Sequence, residues 1–368
     1  MKLVRTFHPV GHGAFYSEVL YDDNDIAIQT VVYDCGTLSK QKYLFQEIDE
    51  LKRATMTDKI DALFISHFHT DHTSGIEYLS RVFDIERIFI PVLTDAILVE
   101  SLMFNAINHS IYCVANRFIS KCRGGKGKNH NIVKIKEFNM EDNDIESIPY
   151  DKIPPGTIKA PIILNPAYKG WQYIPYNIKN TSAEDLIKCL KQDNIFKTAF
   201  TGQDKVLIGK LKDLIKLNFV YCKQIYESVY KNSHNSYSMA LYSGLGCNNC
   251  KECYNILDCH CRNCLYMGDF EASPNYPKRN FNCFHLKEFY KNYWDGIRLL
   301  QVPHHGSEHN LNADLYTPEK LCIMSVGVPD KFNHPDRITI DTIIAKQSIP
   351  IMVTEDPKTK QMFTYNLP

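Results

Sequence analysis

The chain has 368 residues, 44% of them hydrophobic, with Lys plus Arg and Asp plus Glu equal at 42 each. That balance excludes a global pull toward nucleic acid or an anionic membrane, leaving only local basic patches. No apolar stretch nears the roughly 20 residues that span a bilayer, so no membrane contact is expected, and residues 1–7 read as a first strand rather than a signal peptide. Thirteen cysteines without an export signal point to reduced thiols, metal binding and a cytoplasmic location.

Residues 30–33 are β-branched and apolar and end at Asp34-Cys35-Gly36. Helical spacing follows over 42–54, then an apolar strand over 60–65. That strand runs into Ser66-His67-Phe68-His69-Thr70-Asp71-His72, three histidines and one aspartate within six positions in a chain of only 14 histidines. Imidazole and carboxylate are the ligands of zinc and similar divalent ions. A helix over 75–83 and a strand over 87–91 complete an α/β pattern with polar groups at strand ends.

The spacing predicts a helix over 94–121, then the basic glycine-rich loop 123–130. That loop lacks the glycine spacing and the Ser or Thr after Lys of a P-loop. It reads as a solvated turn, with phosphate gripping the lesser alternative. Strand signals return at 170–175, helices at 182–192 and 205–216, and a strand pair at 236–242 and 264–267. Further strands are expected over 297–302, 321–326, 350–354 and 361–365. No linker divides the chain, so a single domain over 1–368 is expected, with insertions at about 96–165 and 245–264.

Three later strand ends carry polar groups: Gly268-Asp269, Pro303-His304-His305-Gly306-Ser307 and Asn333-His334-Pro335. With the first cluster they supply enough ligands for two adjacent metal ions. Between the paired strands, Cys247/Cys250 and Cys261/Cys264 form two Cys-x-x-Cys pairs, a spacing suited to a structural zinc. Cys253, Cys259 and His260 remain as spares, and an iron–sulfur cluster is the alternative. A closed four-thiolate site serves stability or docking of a protein partner rather than hydrolysis.

The order of these elements resembles the metallo-β-lactamase fold, and most closely the soluble hydrolase domain of ComEC-like competence proteins. The resemblance rests on Val10-Gly11-His12-Gly13, Tyr33-Asp34-Cys35-Gly36, the Ser66 cluster, Gly268-Asp269, Pro303-His304-His305-Gly306-Ser307 and Asn333-His334-Pro335. It implies an α/β fold, a metallo-β-lactamase-type αββα sandwich, here with a helical or loop insertion and a cysteine-rich zinc-finger-like insertion. It implies two divalent ions, zinc or manganese. His67 and His69 would hold one, Asp71 and His72 the other, with Asp269 bridging and His305 the late histidine ligand. His304 would face the substrate, and at this level the roles of His304 and His305 are exchangeable. Asp34 would sit behind the site, orienting a ligand histidine.

The fold commonly gives its first metal a third histidine; His234 is the nearest candidate, with a surface position the alternative. The subgroup usually has aspartate where this chain has Ala14. The resemblance further implies a metal-activated water, with Asp71 accepting a proton and His304 or His334 contacting a phosphoryl or carbonyl oxygen. The expected activity is that of a phosphodiesterase or nuclease on nucleic acid or a nucleotide. The alternatives are a hydrolase of small esters, lactones or thioesters, and a non-enzymatic metal-bound interaction protein of a multi-component system such as defence.

Overall fold

The computed structural model describes residues 1–92, 94–109, 131–138, 146–149, 152–158, 162–165, 168, 170–177, 181–201, 206–230, 238–246, 263–273, 281–329 and 332–367. The basic loop 123–130, His234, Cys247, Cys250 and Cys261 lie outside them.

The chain opens with β1 (Lys2–Phe7), β2 (Gly13–Tyr21), β3 (Ala27–Thr37), α1 (Gln41–Thr55), β4 (Lys59–Phe64), α2 (Thr70–Thr73), α3 (Ile76–Val82), β5 (Asp84–Pro91) and α4 (Asp95–His109). It continues with β6 (Asn131–Ile135), β7 (Glu146–Pro149), β8 (Gly156–Ile158), β9 (Ile162–Asn165), β10 (Trp171–Tyr176), α5 (Thr181–Gln192), α6 (Ile208–Leu217) and α7 (Phe219–Tyr230). The last third holds β11 (Ala240–Leu245), β12 (Asn263–Tyr266), α8 (Phe281–Phe289), β13 (Ile297–Gln301), β14 (Leu321–Ser325), α9 (Arg337–Ala345), β15 (Ile349–Val353) and β16 (Gln361–Asn366).

Among the described residues these strands form two eight-stranded sheets, ordered β16-β1-β2-β3-β4-β5-β6-β8 and β15-β14-β13-β12-β11-β10-β9-β7. The pairings β3–β4–β5–β6 and β12–β13–β14–β15 are parallel. Parallel strands covered on both faces read as unbroken apolar runs, and from Ile60 onward every residue of β4 is buried. Edge strand β16 instead alternates buried Phe363 and Tyr365 with exposed neighbours.

One apolar cluster lies between the sheets and includes Phe7, Phe64, Tyr173, Tyr266 and Ile323. A second covers the outer face of the first sheet through α1, α3 and the α4–α7 helices, and a third joins the second sheet to α8 and α9. The result is the four-layer αββα sandwich of the metallo-β-lactamase fold.

One feature departs from the sequence reading. Residues after Gly13 continue as the nine-residue strand β2, hidden in the sequence because it begins in a glycine-rich turn and is buried on both faces. Cys264, at the start of the expected strand 264–267 and one of the four expected zinc ligands, stands inside β12, opposite Ser243 of β11. Its thiol is fully buried in the inter-sheet core, and burial pushes it up to about 12. Its three expected partners lie outside the described residues.

A buried ion pair crosses the inter-sheet core. Arg5 Nε donates to Glu18 Oε1 at 2.7 Å, and Glu18 also accepts from Tyr173, Tyr266 and Ser243. Removing one partner strands the other charge in an apolar interior, so Glu18→Ala is expected to lose about 3–5 kcal/mol in urea unfolding. Arg5→Met combined with Glu18→Met is expected to lose less than either change alone.

Lys320, just before β14, is buried over the Trp294 ring with its Nζ lacking a hydrogen-bond partner among the described residues. Burial pushes its pKa down to about 8, below the roughly 10.4 of an unfolded chain. Between those values the unfolded chain binds more protons, so stability rises with pH there and the full penalty applies below about 8. Lys320→Met is expected to stabilise the protein by about 1–3 kcal/mol at pH 7, with the gain shrinking toward pH 10 in pH-resolved unfolding.

Candidate two-metal centre

The site lies where β3, β4, β12, β13 and β14 run out into loops. β4 ends at Phe64, and the chain enters the histidine cluster through Ser66. Asp34, at the end of β3 with φ +56°, accepts from the Ser66 backbone N–H and hydroxyl, each at 2.7 Å, and from His72 Nδ1 at 2.8 Å. Because the Ser66 hydroxyl donates to Asp34, it accepts from His67 Nδ1 at 2.9 Å. One carboxylate thus fixes two imidazoles. Gly36 permits this approach: a Cβ there would lie 2.4–2.5 Å from Thr73 N and His72 N.

Gly268, with φ +54°, turns the chain after β12, and a Cβ would strike the Ser238 hydroxyl and Ser66. The turn carries Asp269 into the cluster. After β13, His304 (φ 48°) and His305 (φ 55°) are successive non-glycine residues in the left-handed region, an arrangement that costs about 1–3 kcal/mol per residue and persists only where surroundings enforce it. It sends the two imidazoles apart. His305 Nδ1 donates to the Ser325 carbonyl at 2.8 Å, leaving Nε2 facing Asp71 Oδ2 at 3.1 Å.

Two overlapping ligand groups result: Asp71, His72, Asp269 and His305, and His67, His69 and Asp269. Within each, the ligand atoms all lie within 4.8 Å of one another, and every residue is buried. Asp269 belongs to both. His72 Nε2 is 3.0 Å from Asp269 Oδ1, and His67 Nε2 is 3.6 Å from Asp269 Oδ2. The structure therefore brings together His67, His69, Asp71, His72, Asp269 and His305. His304 stands outside both groups, with Nε2 3.9 Å from Asp269 Oδ2.

The charges fit a cation. Burial raises the Asp71 and Asp269 carboxyls, but facing histidines overcome it and hold both well below the usual range. Burial lowers His72, yet Asp269, Asp71 and Asp34 pull it well above an ordinary imidazole. Burial and two neighbouring histidines keep His67 neutral, the form that ligates metal. Asp71 Oδ1 and His72 Nε2 are buried with no hydrogen-bond partner among the described residues. Such orphaned polar atoms are costly unless an ion or water meets them.

Around this centre lies a rim of imidazoles. His12 sits 4.1 Å from the His305 ring and 4.8 Å from Phe332, and His334 lies 5.7 Å from His304. Burial and the surrounding histidines push His334 down to about 4, so it is neutral at pH 7. The Asn310 amide nitrogen donates to the Asp269 and Phe270 carbonyls, so its oxygen faces His304 Nδ1 at 2.8 Å. His304 therefore carries its proton on Nδ1 and presents Nε2 as a lone pair.

The sequence reading missed His12 as a site residue, Asn310, and three residues of α4. Asn105 Oδ1 accepts from Thr70 N and Oγ1 while its Nδ2 donates to the Phe68 carbonyl, clamping the histidine loop. Phe104 stacks on His69 at 3.5 Å and 11°. Glu100, fully buried, stands 3.5 Å from His69 Nε2. One signal was available: a glutamate inside the apolar run Ile97-Leu98-Val99-Glu100-Ser101-Leu102-Met103 calls for a partner.

Residues 28–158 match the family described as "Metallo-beta-lactamase superfamily". Among solved structures the chain is similar to unliganded yeast PDE1, at 10% identity, TM-score 0.41, over 100% of this chain and 99% of that one. It is also similar to Zn(2+)-bound PqqB from Methylobacterium extorquens, at 8% identity, TM-score 0.40, over 100% of both chains. No curated protein matches the chain.

Because Asp269 alone belongs to both groups, Asp269→Ala is expected to abolish binding of both ions, and His305→Ala to remove one. Metal analysis of the purified proteins after dialysis checks both outcomes.

Proposed function

We propose that this protein is a metal-dependent phosphodiesterase or nuclease acting on nucleic acid or a nucleotide, akin to the hydrolase domain of ComEC-like proteins. The observation that carries the reading is the pair of buried ligand groups sharing Asp269, opening onto His12, His304 and His334. His67, His69 and Asp269 would hold one divalent ion, and Asp71, His72, Asp269 and His305 the other, zinc being the best match to this donor set. Bound ions of this kind supply Lewis acidity and a water whose pKa falls from 15.7 towards ~7.

The chain's own residues supply the rest. Asp71 Oδ2 faces His305 Nε2 across the ligand group, and Oδ1 is the oxygen that would accept a proton from the attacking water. His304 Nε2, held in place by Asn310, would take a proton from solvent water before turnover and give it to the leaving oxygen. His12 and His334 offer N–H groups to non-bridging oxygens, and half-exposed Phe332 gives a nucleobase a flat apolar face.

The test uses bis(p-nitrophenyl) phosphate, single-stranded DNA, RNA and a lactone panel, with wild type and Asp71→Ala at measured metal content. The expected result is phosphodiester cleavage that falls by roughly two to four orders of magnitude in the variant. Hydrolysis confined to carbon esters or lactones would overturn the substrate class. Two bound ions without any turnover would favour the interaction-protein alternative.

A further inference from the structure

We propose that Glu100, on the insertion helix α4, is the positioning residue for His69, so that the helical insertion completes the first metal subsite. The inference rests on the reading that His67, His69 and Asp269 hold an ion.

His67, His72 and His305 share one pattern: Nδ1 is engaged outward, by Ser66, Asp34 and the Ser325 carbonyl respectively, and Nε2 faces the cluster. His69 reverses it. Its Nε2 edge stands 3.5 Å from Glu100 Oε1, near but short of a hydrogen bond, and the proposal takes Nδ1 as the nitrogen for the ion. Among the described residues Glu100 belongs to neither ligand group, and the role proposed for it is through His69 rather than as a ligand.

The carboxylate is itself held. Tyr226 of α7 donates to Glu100 Oε1 at 2.6 Å, and the Ser101 hydroxyl approaches Oε2 at 3.4 Å. Phe104, one helical turn on, stacks flat on the His69 ring. Two side chains of one helix therefore grip one imidazole, by its face and by its edge, while Asn105 ties the same helix to the loop on either side of His69. A carboxylate accepting from the outer nitrogen of a ligand histidine fixes its tautomer and raises its basicity, and loss of such a partner typically costs 10–100-fold in metal affinity.

Zinc is the probe, titrated into the metal-free full chain against a chromophoric chelator. Wild type is expected to bind two ions, and Glu100→Gln to bind one of them 10–100-fold more weakly. Tyr226→Phe, which keeps the ring, is expected to show a smaller loss at the same ion and stands in if Glu100→Gln does not fold. In 15N spectra of metal-free protein, His69 is expected as the Nε2–H tautomer in wild type and as a mixture in Glu100→Gln, a change that a merely structural role would not produce. Equal zinc affinity of wild type and both variants at both ions, or an Nδ1–H His69 in wild type, would overturn the role of Glu100 while leaving the metal centre standing. Wild type that takes up no zinc would overturn the metal reading itself, and this inference with it.

Discussion

The site depends on one buried carboxylate. Asp34 has no exposure to water, and burial alone raises its pKa even against the pull of His72. It is held in the left-handed region at the end of β3, and its oxygens gather the Ser66 backbone, the Ser66 hydroxyl and His72. Through Ser66 it also sets His67. Loss of this acceptor would leave several buried donors unsatisfied at once, each at about 1–3 kcal/mol. The same acceptor defines which nitrogen of two imidazoles faces the cluster. Stability and ligand geometry are therefore one constraint here.

Among the described residues two other buried polar constellations stand apart from the candidate site, and their charge balance differs from it. Around Glu18, the contacts from Arg5, Tyr173, Ser243 and Tyr266 each join a donor to an acceptor, and opposite charges are paired. Ser17, His8 and Glu47 make a second set: His8 Nε2 lies 2.7 Å from Ser17 Oγ and Nδ1 2.8 Å from Glu47 Oε2. That is the partner order of a nucleophile–base–acid triad. All three are buried, His8 is stacked on Phe15, and Lys360 neutralises Glu47, so no substrate carbonyl reaches Ser17. At the strand ends the balance differs. Asp34, Asp71 and Asp269 crowd one strongly basic histidine, His72, and Asp71 Oδ1 has no hydrogen-bond partner among the described residues. Unmet negative charge beside neutral imidazoles distinguishes a cation site from a structural network.

What was legible in the sequence follows from distance along the chain. The ligands of the first cluster lie within six positions, and an apolar strand announces them. Asp269 and His305 follow short apolar runs of the same kind, so the strand-end rule found them as well. The residues that went unread act across long separations. Glu100 meets Tyr226 across 126 positions, Asn310 meets Asp269 across 41, and Asn105 meets Thr70 across 35. A lone Asn or Glu on a helix has no local pattern to betray its partner. The strand β2 was missed for another reason: buried on both faces, it shows no alternation.

The two halves of the centre are built with different freedom. The Asp71–His72–His305 side is held by strand ends and their loops, with Nδ1 anchors on Asp34 and the Ser325 carbonyl. These belong to the two sheets, so their spacing is set by sheet packing. The His69 side is braced by α4, which belongs with α5 and α7 to the helical layer on the outer face of the first sheet. A histidine held by a helical layer moves with that layer, whereas one held by a strand end moves only with the sandwich. On the proposed two-ion reading, the strand-held subsite is therefore set by sheet packing, whereas the other draws on a strand end through His67 and on the helical layer through His69.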